Sequence, residues 1–153
     1  MTKIEIRPAR SGELEAVAAL RWRWVAEQYG PPGAHRDEFV SEFAAWMREN
    51  AAGHRCLVLV RQDQVIGMGF LAITPRVPTP RSFSRASGDV QSVYVVPEAR
   101  DGGLGGRLID AILERARDLG LERVTTVHSS SRAVPVYQRH GFTTSPRLLH
   151  TRM

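Results

Sequence analysis

The sequence predicts an α+β fold with a mixed β-sheet. Three observations support this prediction: two helical segments come first, a run of strands follows them, and a strand–helix–strand crossover occupies the second half of the chain. Such a crossover joins parallel strands, so at least one pair of strands in the sheet is expected to be parallel. The length of 153 residues suits one domain, and we expect residues 1–153 to form it.

The first half of the chain is predicted to contain two helices and a hairpin. Ser11 is the expected N-cap of the first helix, and the glycines and prolines at residues 30–33 end that helix. The second helix is predicted over Asp37–Asn50, where apolar residues recur at helical spacing. Strands at Arg55–Arg61 and Val65–Thr74 follow, and the short polar link between them is typical of a hairpin.

A loop over residues 75–88 is predicted to open the second half. It contains three prolines and is too long for a plain connection, so we expect it to be mobile or to face the substrate. A helix over Leu104–Leu119 carries apolar residues along one face, and Gly120 supplies its stop. The other predicted elements are the strands Asp89–Val96 and Leu121–His128, the short helix Arg132–His140, and closing strands over Gly141–Met153 that are broken at Pro146.

Composition and charge exclude several classes of protein. No apolar run reaches the roughly 18 residues of a membrane span, and the N-terminus lacks the apolar core of a signal peptide, so we expect a cytoplasmic protein without a membrane partner. Cys56 is the only cysteine, which leaves no internal disulfide and no cysteine metal cluster, and no metal is expected. The formal charge of +5 comes from arginines scattered along the chain, so we expect no nucleic-acid partner.

A glycine-rich turn, Arg100 to Gly106, lies between a predicted strand and a predicted helix. A helix N-terminus has unpaired N–H groups and a partial positive charge, and glycines let the backbone come close to an anion. Two other phosphate motifs do not match. A P-loop requires a lysine that is missing here, and a dinucleotide fold requires a third glycine where Leu108 stands. By itself the turn therefore predicts an anion site at the start of a helix.

Two motifs in this region resemble a known family. Arg100-x-x-Gly103-x-Gly105, which follows the segment Val-Tyr-Val-Val-Pro-Glu, resembles the signature Gln/Arg-x-x-Gly-x-Gly/Ala of the GNAT family of N-acetyltransferases. A segment further along the chain is similar to the family's Asn-x-x-Ala-x-x-x-Tyr-x-x-x-Gly-Phe motif. Ser130 replaces the asparagine there, and four residues match in register: Ala133, Tyr137, Gly141 and Phe142. The resemblance covers nearly the whole chain, although residues 22–50 match only in their helical pattern.

The resemblance implies the GNAT fold, in which helices flank a mixed central sheet, and an activity. The acetyl group of acetyl-CoA would pass to a primary amine by direct attack in a ternary complex. In the family, two parallel strands splay apart and the pantetheine arm pairs with main-chain groups between them, while amides of the turn hold the pyrophosphate. The residues that correspond to this cofactor site are Val93, Val95, Arg100, Asp101, Gly102, Gly103, Leu104, Gly105, Gly106 and Ser130.

The resemblance also assigns the catalytic roles. Tyr137 corresponds to the tyrosine that acts as general acid on the thiolate, and Asp89 stands where some members carry a base that deprotonates the amine. His128 and a water molecule remain alternative bases. A non-catalytic module that binds acyl-CoA as a sensor is the alternative function. The family often dimerises, so a homodimer is compatible with the resemblance.

The acceptor stays open at this point: a small-molecule amine, an amino acid or peptide N-terminus, and a drug-like amine all fit. In the family, the first two helices and the loop between the third and fourth strands select it. These segments contain aromatic residues, which suit an apolar amine or belong to the core, and arginines, which suit a carboxylate or are solvated. They are Trp22, Trp24, Tyr29, Trp46 and Phe83, with Arg76, Arg81 and Arg85.

Overall fold

The structure, a computed structural model, describes residues 3–33, 35–128 and 133–153. Its five strands form a sheet in the order β1-β2-β3-β4-β5, antiparallel except for the parallel pair β4–β5. The mixed sheet confirms the predicted fold class. The elements in chain order are β1 Ile4–Pro8, α1 Leu14–Tyr29, α2 Arg36–Glu49, β2 His54–Arg61, β3 Gln64–Arg76, β4 Arg85–Val95, α3 Leu104–Asp118, β5 Val124–Thr126 and α4 Val134–Arg139.

Helices cover both faces of the sheet, because each strand sends alternate side chains to opposite faces. Val58, Met68 and Phe70 pack in one cluster with residues of α1 and α2. Leu57, Leu71 and Val90 pack on the other face against α3. The buried stripe of α3 that supports this second cluster consists of Leu108, Ile109, Ile112 and Ala116, as its periodicity predicts. No helix in the described part of the chain is long and apolar enough to cross a membrane.

The long loop predicted over residues 75–88 is shorter in the structure. Strand β3 continues to Arg76 and pairs there with Arg85, the first residue of β4, which leaves residues 77–84 as the connection. Arg85 also donates two hydrogen bonds to the Glu122 carboxylate, at 3.1 and 2.7 Å. Cross-strand pairing and this ion pair hold a proline- and serine-rich sequence in strand conformation against its local preference.

Two local predictions are wrong. Ser11 does not cap α1, because a 3₁₀ turn over Ser11–Glu13 precedes the helix, and there the Glu13 carboxylate accepts the Arg10 N–H at 2.7 Å. The closing strands are missing as well: the structure shows no strand over residues 141–153. A strand requires a neighbour to pair with, and β5 pairs with β4 only over Val124–Thr126. Strand β1, which the element prediction missed, pairs with β2 along its whole length.

Candidate active site

The parallel strands β4 and β5 separate after a short contact. Their pairing ends where Val90 meets Thr126, yet β4 continues to Val95. Within the described chain, no strand pairs with the outer half of β4 on that side. Main-chain groups along a strand edge of this kind can bind an extended ligand. We call this opening the β4–β5 gap.

A β-bulge in β4 lies beside the gap. Met68 pairs with Tyr94 and Phe70 pairs with Gln91, so that two residues of β4, Ser92 and Val93, face Gly69 alone. The φ angle of Ser92 is +56°, a left-handed conformation that costs an L-residue about 1–2 kcal/mol. Bulges bend a strand and increase its twist. The bulge therefore supports the separation of β4 from β5.

The main-chain groups of Val95 point toward the gap. The N–H of the next residue, Val96, donates to the Ile66 carbonyl of β3 at 2.9 Å, and successive residues of a strand alternate in direction. The Val95 carbonyl already accepts a hydrogen bond from Arg100 Nε at 2.8 Å. The N–H of Val95 is therefore the main-chain group that remains for the predicted contact with a pantetheine arm. Val93 lies two residues earlier, with its side chain packed toward α3.

The glycine-rich turn opens onto free space. Asp101 and Gly103 have left-handed φ angles of +69° and +76°, and α3 begins at the next residue, Leu104. A Cβ atom built on Gly102, Gly103 or Gly105 would meet nothing within 4 Å. Amides in the first turn of α3 lack helical partners. The turn thus combines unpaired N–H groups, the positive end of a helix dipole and room for an anion.

Arg100, at the start of the turn, is held by contacts with β4 and α1. Its guanidinium donates to the Val95 carbonyl, pairs with Glu27 of α1 at 3.1 Å, and lies 5.3 Å from the centre of the Tyr94 ring. Tyr94 also donates its hydroxyl proton to Glu27, and its burial there raises the pKa of the phenol to about 12. Arg100 therefore ties the start of the turn to α1. Its predicted part in phosphate binding stays a prediction.

Gly106 has a packing role. A Cβ on this residue would lie 2.5 Å from Nε2 of His140, whose Nδ1 is 2.7 Å from the Asp110 carboxylate. His140 is the C-cap of α4, so the missing side chain at position 106 lets α4 dock on α3. This docking fixes the helix that carries Tyr137. Gly106 therefore contributes to the site through α4, in addition to its predicted place in the cofactor turn.

The contact between Gly106 and His140 predicts energetic coupling between the two positions. Gly106→Ala improves helix propensity by about 1 kcal/mol but forces the His140 ring away from Asp110. We expect Gly106→Ala to raise the free energy of unfolding by about 1 kcal/mol more in a His140→Ala background than in the wild type. Chemical denaturation of the four proteins of this double-mutant cycle measures the difference. Additive effects would show that the contact is not formed.

Tyr137 reaches the β4–β5 gap from α4. Its ring packs edge-on against Phe142 with centroids 5.2 Å apart, and its hydroxyl is hydrogen-bonded to Thr126. Burial raises the pKa of Tyr137 and the nearby charge of Asp89 adds to this, while the hydrogen bond with Thr126 opposes it. Tyr137 is therefore protonated at neutral pH and able to act as a proton donor.

Asp89 lies in the last paired stretch of β4 before the strands part. Its Oδ1 accepts a hydrogen bond from the Thr125 hydroxyl at 3.2 Å, and its Oδ2 accepts one from Gln91 Nε2 at 2.8 Å. The two predicted catalytic residues, far apart in sequence, thus lie at the same end of the gap. His128 is exposed just beyond β5. Ser130 falls outside the described residues, so its predicted cofactor contact stays a prediction.

Three polar residues at this place escaped the sequence prediction. Thr125 and Gln91 hold the Asp89 carboxylate, and Thr126 contacts Tyr137 while its hydroxyl donates to the Val90 carbonyl at 3.1 Å. Two consecutive threonines at the end of a strand are common, so they carry no functional signal in the sequence. Their neighbours become known only from the register of β5 against β4.

The aromatic residues of α1 and α2 mostly pack against other rings. Trp22 contacts Phe39 at 5.7 Å between ring centroids, Trp24 stacks on Tyr94 at 5.6 Å, and Trp46 contacts His54 at 4.9 Å. Of the predicted loop arginines, Arg85 is paired with Glu122. Most of these side chains therefore have structural contacts, and the roles predicted for them toward the acceptor stay predictions.

The chain belongs to the Acetyltransferase (GNAT) family, whose sequence profile matches residues 16–142. It is 26% identical over 153 residues to YhfO of Bacillus subtilis, an uncharacterized N-acetyltransferase, in a match that covers 96% of this chain and 95% of that protein. Its fold is similar to that of a Clostridium acetobutylicum acetyltransferase solved with acetyl-CoA (TM-score 0.79, 18% identity, 98% and 96% of the two chains). An acetyltransferase of Trypanosoma brucei is similar as well (TM-score 0.73, 26% identity, 99% and 100%). The predicted family and the acetyl-CoA-dependent N-acetyltransferase activity are confirmed.

Proposed function

We propose that residues 1–153 form one N-acetyltransferase domain, which moves the acetyl group of acetyl-CoA to a primary amine by direct attack in a ternary complex. The observation that supports this most is the placement of Tyr137 and Asp89 at one end of the β4–β5 gap, where the charge of Asp89 acts on the Tyr137 hydroxyl. The acceptor is a small-molecule or peptide amine, and no metal takes part in the proposed reaction.

The proposed donor site follows the gap and the turn. Amides from Asp101 to Gly106 bind the pyrophosphate in the open space before α3. The pantetheine arm then runs along the exposed edge of β4 and pairs with main-chain groups of Val93 and Val95. This path leads the thioester toward Tyr137 and Thr126, at the point where the two strands meet.

The proposed chemistry uses Asp89 as base and Tyr137 as acid. Asp89 takes a proton from the substrate ammonium, directly or through water, and the neutral amine attacks the thioester carbonyl. The resulting tetrahedral intermediate breaks its C–S bond, and the thiolate receives the Tyr137 proton. The second proton of the attacking amine and the proton held by Asp89 pass to solvent, and the phenolate takes one proton back, so that one proton is released per turnover. The hydrogen bonds from Thr125 and Gln91 orient the Asp89 carboxylate for this role.

The test measures thiol release from acetyl-CoA across a panel of primary amines, with wild-type protein and Asp89→Asn. We expect turnover of at least one amine, and a loss of about 100-fold in Asp89→Asn because a general base contributes about that much. Acetyl-CoA affinity, measured by calorimetry, should stay unchanged. Asp63→Asn, at an exposed hairpin turn, is the matched control and should behave as the wild type.

Two results would contradict parts of this proposal. Tight acetyl-CoA binding with no turnover of any amine favours the non-catalytic sensor. Full activity in Asp89→Asn excludes Asp89 as the base and leaves His128 or a bound water as the alternatives. Activity of the His128→Gln variant then distinguishes these two, because only a His128 base is removed by it.

A further inference from the structure

Arg21 stands at a core position of α1. Residues three, four and seven positions away lie on the same side of a helix. At these distances from Arg21 the helix carries Leu14, Val17, Ala18 and Trp24, and Val17 and Ala18 are fully buried. Arg21 is itself half-buried. A cation therefore interrupts the apolar stripe with which α1 packs on the sheet.

No carboxylate neutralises this cation within the described chain. None of the ion pairs among these residues includes Arg21, and its guanidinium lies instead 4.8 Å from the centre of the Trp24 ring. Burial lowers the pKa of Arg21 accordingly. Two other arginines near this end of the protein are paired, Arg23 with Glu98 and Arg100 with Glu27. A half-buried charge without a counter-ion is costly, so a cation at this position points to a ligand that supplies the counter-charge.

Arg21 and Asp89 belong to the same face of the sheet. The Trp24 ring beneath Arg21 stacks on Tyr94, which packs with α1 residues on that face. Val90 points to the opposite face, against α3, so its neighbours Asp89 and Gln91 point toward the side of α1. The hydrogen bond between Asp89 and Gln91 agrees with this placement. The unpaired cation and the proposed base thus lie on the same face of the sheet.

We propose that Arg21 binds the carboxylate of the acceptor, which is therefore a primary amine that also carries a carboxylate, such as an amino acid. The proposal rests on the proposed function. The guanidinium lies over the Trp24 ring, and its N–H groups can make a bidentate contact with a planar anion. With the carboxylate held at Arg21, the amine of the same molecule lies toward Asp89 and the thioester.

The test uses acceptors in matched sets: α-amino acids, their amides and the corresponding decarboxylated amines. We expect wild-type protein to prefer the acids by about 100-fold in kcat/KM, as a charge-assisted hydrogen-bond pair would give. Arg21→Met should remove this preference mainly through the acceptor KM, without change in acetyl-CoA affinity. Arg21→Lys should retain part of it. Arg117→Met, at an exposed arginine of α3, is the matched control.

Several outcomes would overturn the inference: equal turnover of acids and amides by the wild type, no turnover of any acid, a preference for amines that carry a phosphate, or an acid preference that survives Arg21→Met. If amines without a carboxylate are acetylated in any of these cases, the proposed acetyl transfer still holds. Absence of thiol release with every amine overturns both. If Arg21→Met fails to fold, the wild-type comparison of acids with amides and the Arg21→Lys variant still test whether Arg21 binds the acceptor carboxylate.

Discussion

The Gly105→Glu variant is expected to fold like the wild type and to lose acetyl-CoA binding. A Cβ on Gly105 meets nothing within 4 Å, and the residue lies in the first turn of α3. Glutamate there gains helix propensity and a favourable interaction with the helix dipole, so the free energy of unfolding should rise by about 1 kcal/mol. The same side chain places a negative charge in the space proposed for the pyrophosphate. We expect at least about a 100-fold weaker Kd by calorimetry, since like charges a few ångströms apart repel by several kcal/mol at intermediate dielectric.

The matched control for this variant is Gly12→Glu. Gly12 also lies at a helix start with open space before its Cβ, and it is far from the turn along the chain. It should bind acetyl-CoA as the wild type does. An unchanged affinity in Gly105→Glu, with normal thermal unfolding, would place the pyrophosphate elsewhere. Gly103→Glu is a weaker test, because the left-handed φ of Gly103 would strain any larger residue.

The Tyr137→Phe variant is expected to lose turnover by about 100-fold or more, the usual contribution of a general acid, while acetyl-CoA affinity stays nearly unchanged. The ring keeps its packing on Phe142, and only the hydroxyl and its hydrogen bond with Thr126 disappear. Loss of that hydrogen bond should cost about 1 kcal/mol of stability. Steady-state thiol release with a good acceptor, together with calorimetry for the donor, separates the two effects.

Thr151→Val, which removes an exposed hydroxyl outside the predicted site, is the control for the hydroxyl deletion. The pKa of Tyr137 is raised from its ordinary value of 10.0, so the acid should stay protonated throughout the neutral and mildly alkaline range. Wild-type turnover should therefore show no fall between about pH 7 and 9 from ionisation of this group. Unchanged turnover in Tyr137→Phe would show that the thiolate leaves without its help.

Local patterns predicted most of the fold. The apolar residues of α3 recur at helical spacing, and a short polar link joins β2 and β3. Each pattern predicts its element from the local sequence alone. Of the predictions that fail, one depends on a distant partner and one on a local competitor. Whether residues 141–153 form strands depends on a neighbouring edge, and the capping role expected of Ser11 passes to the Glu13 carboxylate.

The candidate site divides in the same way. The anion-binding chemistry of the turn follows from its own glycines, whereas the roles of Tyr137 and Asp89 came from resemblance, because residues so far apart meet only through the register of β4 and β5. The same register hides the contacts of Thr125 and Thr126 from sequence reasoning. Arg21, by contrast, can be noticed in the sequence, because a charged residue there falls on the same helical face as Leu14, Val17 and Ala18. That no carboxylate among the described residues pairs with Arg21 is visible only in the structure.

The early end of pairing between β4 and β5 has a consequence for the energetics of the whole protein. Main-chain groups in the outer half of β4 have no strand partner on the side of β5 within the described chain. In the proposed binding mode, the pantetheine arm of the donor forms hydrogen bonds with these groups. The occupied and empty forms then differ in stability, because a ligand that binds only the folded state adds a free energy of unfolding that grows with the logarithm of its free concentration. The resistance of this enzyme to unfolding in the cell would thus follow the supply of its own acetyl donor.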